Sequence, residues 1–157
     1  MANMGMIAYG YKMTVSLLRD TLEQCDTYEC AVNKIANETI VTMGYFIVAG
    51  TKGNEGVVIS KDRIGFANIA NLTDTQWYLV QTNDDHFTGV CRERCTAARA
   101  NFDKLTQAAL TVQSAYDTVL MVEPNLNFGT IYAVKMSPSS GRFDVARATG
   151  TYKPSDM

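Results

Sequence analysis

The sequence predicts an α+β fold in which helices pack on an antiparallel sheet. Two helical patterns come first, short β-branched and aromatic runs separated by glycine-containing turns come next, and a long helical pattern with two more strands completes the chain. Helices and antiparallel strands in this order are typical of α+β layering. With 46% hydrophobic and 19% charged residues, we expect residues 1–157 to form one globular domain, with a flexible tail at 150–157.

Two amphipathic helices are predicted near the start. The first follows Thr14, which is predicted to cap it, and its apolar residues recur at i, i+3 and i+7. These residues are Val15, Leu18 and Leu22. The second is predicted to begin at Asp26, because Asp26 and Glu29 have the spacing of a capping box. Its shared-face residues are Tyr28, Val32 and Ile35. Both helices are expected on one side of the sheet.

Four strands are predicted in the middle of the chain. Residues 45–50 and 57–60 are short apolar runs on either side of a turn with two glycines, which predicts a hairpin. A weaker strand is predicted at residues 65–69. Residues 76–82 are apolar on both faces, which predicts a central, covered strand.

A long helix and a second hairpin are predicted in the last third of the chain. The helix follows from apolar residues at alternating spacings of four and three, namely Cys91, Cys95, Ala98, Phe102, Leu105 and Ala109. A short helix is predicted from Ser114, with Asp117 three residues later. Residues 130–136 and 142–147 flank a Ser-Pro-Ser-Ser-Gly turn and predict the terminal hairpin.

The charge and hydropathy of the chain exclude several partners. A net charge of −2 and a pI near 5.3, without a basic cluster, give no electrostatic footprint for nucleic acid or an anionic membrane. The sequence as given has no basic region followed by an apolar run near its start, and no run of about 18 apolar residues. We therefore expect neither a signal peptide nor a membrane span in these residues.

The four cysteines leave their pairing open, because spacing alone does not define it. Cys91 and Cys95 are expected either in the core or, in an oxidising compartment, in disulfides with the Cys25 and Cys30 region. His86 with Cys91 and Cys95 suggests a metal site, but a structural zinc site needs four ligands and the sequence offers no second close pair. No metal or cofactor is predicted.

Two polar segments can be interpreted in two ways from their residues alone. Asn83-Asp84-Asp85 is a turn after a strand, or it brings polar groups to the edge of a sheet. Arg94 belongs either to a solvated charged helix face or to a site.

Several motifs together resemble a known family. The segment at 77–85, Trp-Tyr-Leu-Val-Gln-Thr-Asn-Asp-Asp, is similar to the pattern Trp-Tyr-x-Val-Gln-Thr-Asn. Arg94-Cys95-Thr96-Ala97-Ala98 follows it and resembles the basic-basic-Thr-small-Ala segment, with Cys95 in place of the second basic residue. Residues 45–50 and 55–63 resemble two further strand motifs in the same order. The chain thus resembles the C-terminal portion of the acid ceramidase and N-acylethanolamine acid amidase family.

This resemblance implies a fold and a chemistry. The fold would be the C-terminal part of an αββα N-terminal-nucleophile hydrolase sandwich. Such enzymes hydrolyse the amide of N-acylated lipids with an N-terminal cysteine, and they stabilise an oxyanion. By resemblance, Asn83 is the oxyanion-hole donor and Arg94 the arginine that orients the site, with Arg92 as its competitor. The nucleophile cysteine has no counterpart among Cys25, Cys30, Cys91 and Cys95, so the chain alone is expected to be inactive.

The resemblance also leaves a second class of function open. The chain would be lysosomal as part of a longer precursor, and its substrate would be an N-acyl lipid. Alternatively, it is a non-catalytic remnant that serves as a binding or interaction module. Since half of a sandwich exposes apolar surface, we expect the isolated chain to form a homo-oligomer.

Overall fold

The structure is a computed structural model that describes residues 9–147. These residues form two compact units, which join in sequence between Leu79 and Val80. The single-domain prediction for residues 1–157 stays a prediction, and the predicted tail at 150–157 lies outside the described residues.

The first unit is a three-stranded antiparallel sheet with two helices. Its elements are α1 (Thr14–Gln24), α2 (Tyr28–Asn37), β1 (Gly44–Ala49), β2 (Gly56–Lys61) and β3 (Phe66–Asn71). The strand order is β1-β2-β3, and Ile59 in the middle strand pairs with Phe46 on one side and Ile69 on the other. The predicted hairpin and the weaker third strand are confirmed.

One hydrophobic core joins the helices to this sheet. Its buried members are Leu17, Ile35, Ile40, Phe46, Val57 and Ile59. Tyr28 and Val32 pack against these residues, so the apolar face predicted for the second helix is confirmed. Burial of such side chains from both helices and from β1 and β2 is what holds the layers together.

The prediction of which face of α1 is buried is wrong. Leu17 and Thr21, one turn apart, are buried, and the Thr21 hydroxyl donates to the Leu17 carbonyl at 2.7 Å. This bond satisfies the hydroxyl and allows a polar residue to face the core. The predicted face is exposed instead, with Val15 at 74%, Leu18 at 42% and Leu22 at 84%.

The start of α2 also differs from the prediction. Thr27, rather than Asp26, is the N-cap, and its hydroxyl oxygen accepts from the backbone N–H of Cys30 at 3.1 Å. Thr27 has the extended backbone of an N-cap and lies three residues before that N–H. Thr27 therefore caps α2 in place of Asp26.

The second unit contains helices and a two-stranded sheet. Its elements are α3 (Glu93–Leu105), α4 (Val112–Ala115), which continues as a π-helical turn (Tyr116–Leu120), and the antiparallel pair β4 (Tyr132–Ser137) and β5 (Arg142–Arg147). The terminal hairpin is confirmed. The antiparallel pairing in both units, together with the helices, confirms the α+β class. No helix within residues 9–147 is long and apolar enough to cross a bilayer.

Three sequence predictions for the second half of the chain need correction. The long helix begins at Glu93, so Cys91 precedes it, and Ala109 lies in a 3₁₀ turn after it. The helix predicted from Ser114 begins at Val112, because the Thr111 hydroxyl caps it by accepting from the Ser114 N–H at 2.9 Å. Residues 76–82 form no strand.

The failure of the strand at 76–82 has a physical reason. A strand apolar on both faces requires neighbours, and in the described part of the chain no ladder includes these residues. Side chains bond the local backbone instead. The Gln76 amide donates to the Tyr78 carbonyl at 2.6 Å, and the Gln81 amide donates to the Thr82 carbonyl at 2.6 Å.

Lys61, the last residue of β2, is a charged side chain in the core. It is 2% exposed, and its Nζ has no hydrogen-bond partner among the described residues. Burial lowers the pKa of Lys61, and the charges of Asp62 and Glu38 act against that shift. A buried ammonium without a partner is destabilising.

We predict that Lys61→Met stabilises the fold by about 1–3 kcal/mol, because methionine fills a similar volume without a charge. Since the folded-state pKa lies below the unfolded value, the unfolded state binds more protons, and wild-type stability should rise with pH up to about 10.4. The variant should lack this contribution. Urea unfolding at several pH values measures both effects.

The exposed Lys104 in α3 supplies the control. Lys104→Met should leave stability within about 0.5 kcal/mol of wild type. A destabilised Lys61→Met protein would mean that the ammonium has a favourable role in the core.

Candidate functional site

Asn83 lies in a loop whose backbone is held on both sides. The carbonyls of Thr82 and Asp84 both accept from the Gln81 side-chain amide, at 2.6 and 2.9 Å. The Asp84 N–H donates to the Thr82 hydroxyl at 3.3 Å. The peptide groups that flank Asn83 are therefore fixed while its side chain stays exposed.

The turn interpretation of this segment agrees with the local geometry. Residues 83–84 form a bend, and the Asp85 carboxylate accepts from the Phe87 N–H at 3.2 Å, which starts the 3₁₀ turn at His86–Thr88. The two interpretations of the sequence are compatible, because the turn is what presents the Asn83 side chain.

Arg94 reaches Asn83 from the first turn of α3. A guanidinium nitrogen of Arg94 donates to the Asn83 Oδ1 atom. An arginine can only donate, so this contact assigns the carboxamide oxygen to the arginine side and leaves the Nδ2 group on the other edge of the amide. The structure thus brings together the two residues that the sequence singled out.

Arg92, the competing arginine, has a different position. It is the N-cap residue of α3, its side chain is 79% exposed, and its guanidinium lies 3.6 Å from the Asp84 carboxylate. An exposed ion pair of this kind contributes little energy. The solvated-face interpretation therefore describes Arg92, whereas Arg94 is half-buried and contacts Asn83.

All four cysteines are paired, and the pairs differ from the disulfide alternative that joined Cys91 and Cys95 to the Cys25 and Cys30 region. Cys25 bonds to Cys30, and Cys91 bonds to Cys95 with a Cα–Cα distance of 5.2 Å. Cys91 lies two residues before the start of α3 and Cys95 lies in its first turn, so the two are close enough to pair locally. Neither cysteine joins the Cys25 and Cys30 region. The Cys91–Cys95 bridge encloses the segment that carries both arginines.

The candidate metal ligands do lie close together. One ligand atom each from His86, Cys91 and Cys95 falls within 4.8 Å of the others. A metal needs thiolate ligands, and here both sulfurs are joined in a disulfide. In this redox state the three residues do not fit a metal ion.

Arg94 also lines a polar cleft of about 370 Å³. Besides Arg94 it is lined by Asn125, Asn127, Gly129, Thr130, Ile131 and Tyr132. Asn127 builds this turn: its Oδ1 accepts from the Gly129 N–H at 2.9 Å, and its own N–H donates to the Thr130 hydroxyl at 3.1 Å. No pattern in the sequence predicted this cleft. Residues 124–129, Pro-Asn-Leu-Asn-Phe-Gly, are typical of a turn. Their spacing does not show that this turn lies beside an arginine.

Comparisons with known proteins identify relatives of this chain. N-acylethanolamine-hydrolyzing acid amidase from Oryctolagus cuniculus is 38% identical over 128 residues, which cover 79% of this chain and 36% of that protein. Acid ceramidase from Homo sapiens is 33% identical over 132 residues, which cover 82% of this chain and 33% of the enzyme. The chain thus spans about a third of the length of these relatives. No protein-family model matches it.

A solved structure of a related protein shows the same fold. The Caenorhabditis elegans N-acylethanolamine-hydrolyzing acid amidase ortholog superposes with a TM-score of 0.71 at 34% identity, covering 78% of this chain and 53% of that one. The fold is therefore that of an N-terminal-nucleophile hydrolase. This chain belongs to the acid ceramidase and N-acylethanolamine acid amidase family, and its partial coverage of the relatives is consistent with a C-terminal portion.

We predict that Arg94→Gln releases the Asn83 carboxamide, because the charged donor to its oxygen is lost. The side-chain NH₂ pair of Asn83 should shift and approach the position of a solvent-averaged asparagine in a ¹H–¹⁵N spectrum. Arg92→Gln is the matched control and should leave that pair unchanged. Equal shifts in the two variants would show that the contact between Arg94 and Asn83 does not persist in solution.

Proposed function

We propose that this chain is the oxyanion-stabilising portion of an amidase that hydrolyses the amide bond of N-acylated lipids. The nucleophile would be an N-terminal cysteine on residues outside this chain. The observation that carries the proposal is the contact between Arg94 and Asn83, which orients an amide donor within a chain related to two amidases.

Asn83 suits the task of stabilising an oxyanion. When a thiolate adds to an amide carbonyl, the carbonyl oxygen becomes negatively charged and needs a fixed hydrogen-bond donor. With its oxygen bonded to Arg94, Asn83 presents the neutral Nδ2–H group without any proton transfer. Arg94 acts here as a positioning residue, and its positive charge also favours a nearby anion.

A nucleophile from outside the chain fits the state of the cysteines. Attack requires a thiolate, and Cys25, Cys30, Cys91 and Cys95 are all in disulfides. On this proposal, the isolated chain binds part of the transition state but does not cleave amides.

The substrate class follows from the relatives. One relative is named for hydrolysis of N-acylethanolamines and another as a ceramidase, and both substrates carry a fatty acyl amide. We propose an N-acyl lipid for this chain as well, in an acidic compartment such as the lysosome.

We predict amidase activity when this chain is co-expressed with the part of the Oryctolagus cuniculus N-acylethanolamine-hydrolyzing acid amidase that lies outside the aligned region. Release of fatty acid from an N-acylethanolamine and from a ceramide with the same acyl chain would be measured. Asn83→Ala should lower kcat by about 10²- to 10³-fold, because one oxyanion-hole donor is removed.

Asn68→Ala, which changes an exposed asparagine in β3, is the control and should retain activity. Full activity of the Asn83→Ala complex, or activity of this chain alone, would contradict the proposal.

A second candidate function is self-association as a non-catalytic module. Beside Arg147, which pairs with Tyr132 at the end of the hairpin, one face of the β4–β5 pair consists of five apolar residues, namely Tyr132, Val134, Met136, Phe143 and Val145. All but Val134 are 60–65% exposed. The opposite face packs on the preceding helical segment, where Lys135 Nζ lies 4.4 Å from the centroid of the Tyr116 ring. An exposed apolar surface of this kind favours association.

We predict that the isolated chain is a homo-oligomer at micromolar concentration and that Phe143→Asp raises its dissociation constant at least about tenfold. Sedimentation velocity measures both quantities. Leu22→Glu, which changes an exposed apolar side chain of α1, is the control and should not alter association. A monomeric wild-type chain would exclude this function.

A further inference from the structure

We propose that His86 is a positioning residue for Asn83. It is the only histidine among the 157 residues, and its ring bridges the two ends of the loop that leads from Asn83 to α3. The catalytic meaning of this role rests on the proposed amidase function, whereas the structural role of the ring does not.

The hydrogen bonds of the ring define its tautomer. The backbone N–H of Thr82 points at the His86 Nε2 atom at 3.0 Å, and a backbone N–H can only donate. Nε2 is therefore the unprotonated acceptor. The proton of the neutral ring lies on Nδ1, which donates to the Val90 carbonyl at 2.7 Å.

The Thr82 hydroxyl extends this arrangement to the far side of Asn83. The Asp84 N–H donates to the Thr82 hydroxyl oxygen at 3.3 Å, so that oxygen keeps its own proton free to donate. The acceptor for that proton is again Nε2 of His86, at 3.1 Å. The amide groups of Thr82 and Asp84, before and after Asn83, are thus both connected to one ring nitrogen.

The other ring nitrogen holds the start of α3. Val90 directly precedes Cys91, whose disulfide partner Cys95 lies in the first turn of α3 together with Arg94. The ring therefore connects the backbone that carries Asn83 to the backbone that leads to Arg94. Its function is to keep these residues at hydrogen-bonding distance from each other.

This role depends on the two ring nitrogens rather than on the volume of the ring. Phenylalanine would keep much of the packing and lose both bonds. Glutamine carries one acceptor and one donor on neighbouring atoms, so it can restore part of the bridge. The pair of variants separates positioning from simple space filling.

The test is NMR of the ¹⁵N-labelled full chain in mildly alkaline buffer. The wild-type ring should show the Nδ1–H tautomer. In His86→Phe, hydrogen exchange at the Thr82 amide should accelerate at least about tenfold, and the Asn83 side-chain NH₂ pair should shift. His86→Gln should reverse part of both changes.

Thr88→Ala is the matched control, because it removes a bond in the same loop, from the Thr88 hydroxyl to the Asp85 carbonyl at 2.8 Å, without touching the residues beside Asn83. It should leave the Asn83 signals unchanged, and the amide of Ile59 in β2 should stay protected in every variant. An Nε2–H tautomer, an unchanged Asn83 pair in His86→Phe, or an equal change in Thr88→Ala would overturn the proposal. This result does not depend on amidase activity, so either proposal can fail while the other stands.

Discussion

The hydrogen bond from Arg94 to the Asn83 oxygen is the interaction on which the account of this chain depends. Asparagine has two edges of similar shape and opposite polarity, and only the nitrogen edge can stabilise an oxyanion. A guanidinium on the oxygen edge selects the orientation that the proposed role requires. Without it, Asn83 would be an exposed loop residue with no preference between its two edges.

The surrounding loop explains why this bond can form between residues that lie eleven positions apart. The Gln81 side chain bonds the backbone carbonyls on both sides of Asn83. The Cys91–Cys95 disulfide links the end of the loop to the first turn of α3. Ordering a loop costs conformational entropy, which these local bonds offset before any substrate arrives. Asn83 and its flanking backbone are therefore ordered within this chain, as the proposed oxyanion-stabilising role requires.

The sequence predicted the elements that depend on local patterns and failed where distant contacts decide. The β1–β2 hairpin and the β4–β5 hairpin follow from apolar runs around turns, and the structure contains both. Periodicity could not orient α1, because a threonine that bonds its own helix backbone took a core position. The strand predicted at 76–82 is absent because a run that is apolar on both faces does not reveal whether neighbouring strands exist.

The same division holds for the candidate site. The family resemblance pointed to Asn83 and Arg94, but only the fold brings the two side chains into contact. The local Cys91–Cys95 pairing could not be read from spacing, since Cys91 was placed inside a helix that begins two residues later. His86 was considered only as a metal ligand, because a residue type does not reveal which backbone groups its two nitrogens meet.

The central claim is that this chain works beside a cysteine nucleophile that it does not itself contain. The most direct measurement is the intact mass and N-terminal sequence of the native protein isolated from its source cells. The account predicts that the native species includes a polypeptide with cysteine at a processed N-terminus, either continuous with these residues or held to them as a second chain. A native protein that consists only of residues 1–157, with no associated polypeptide, would contradict it.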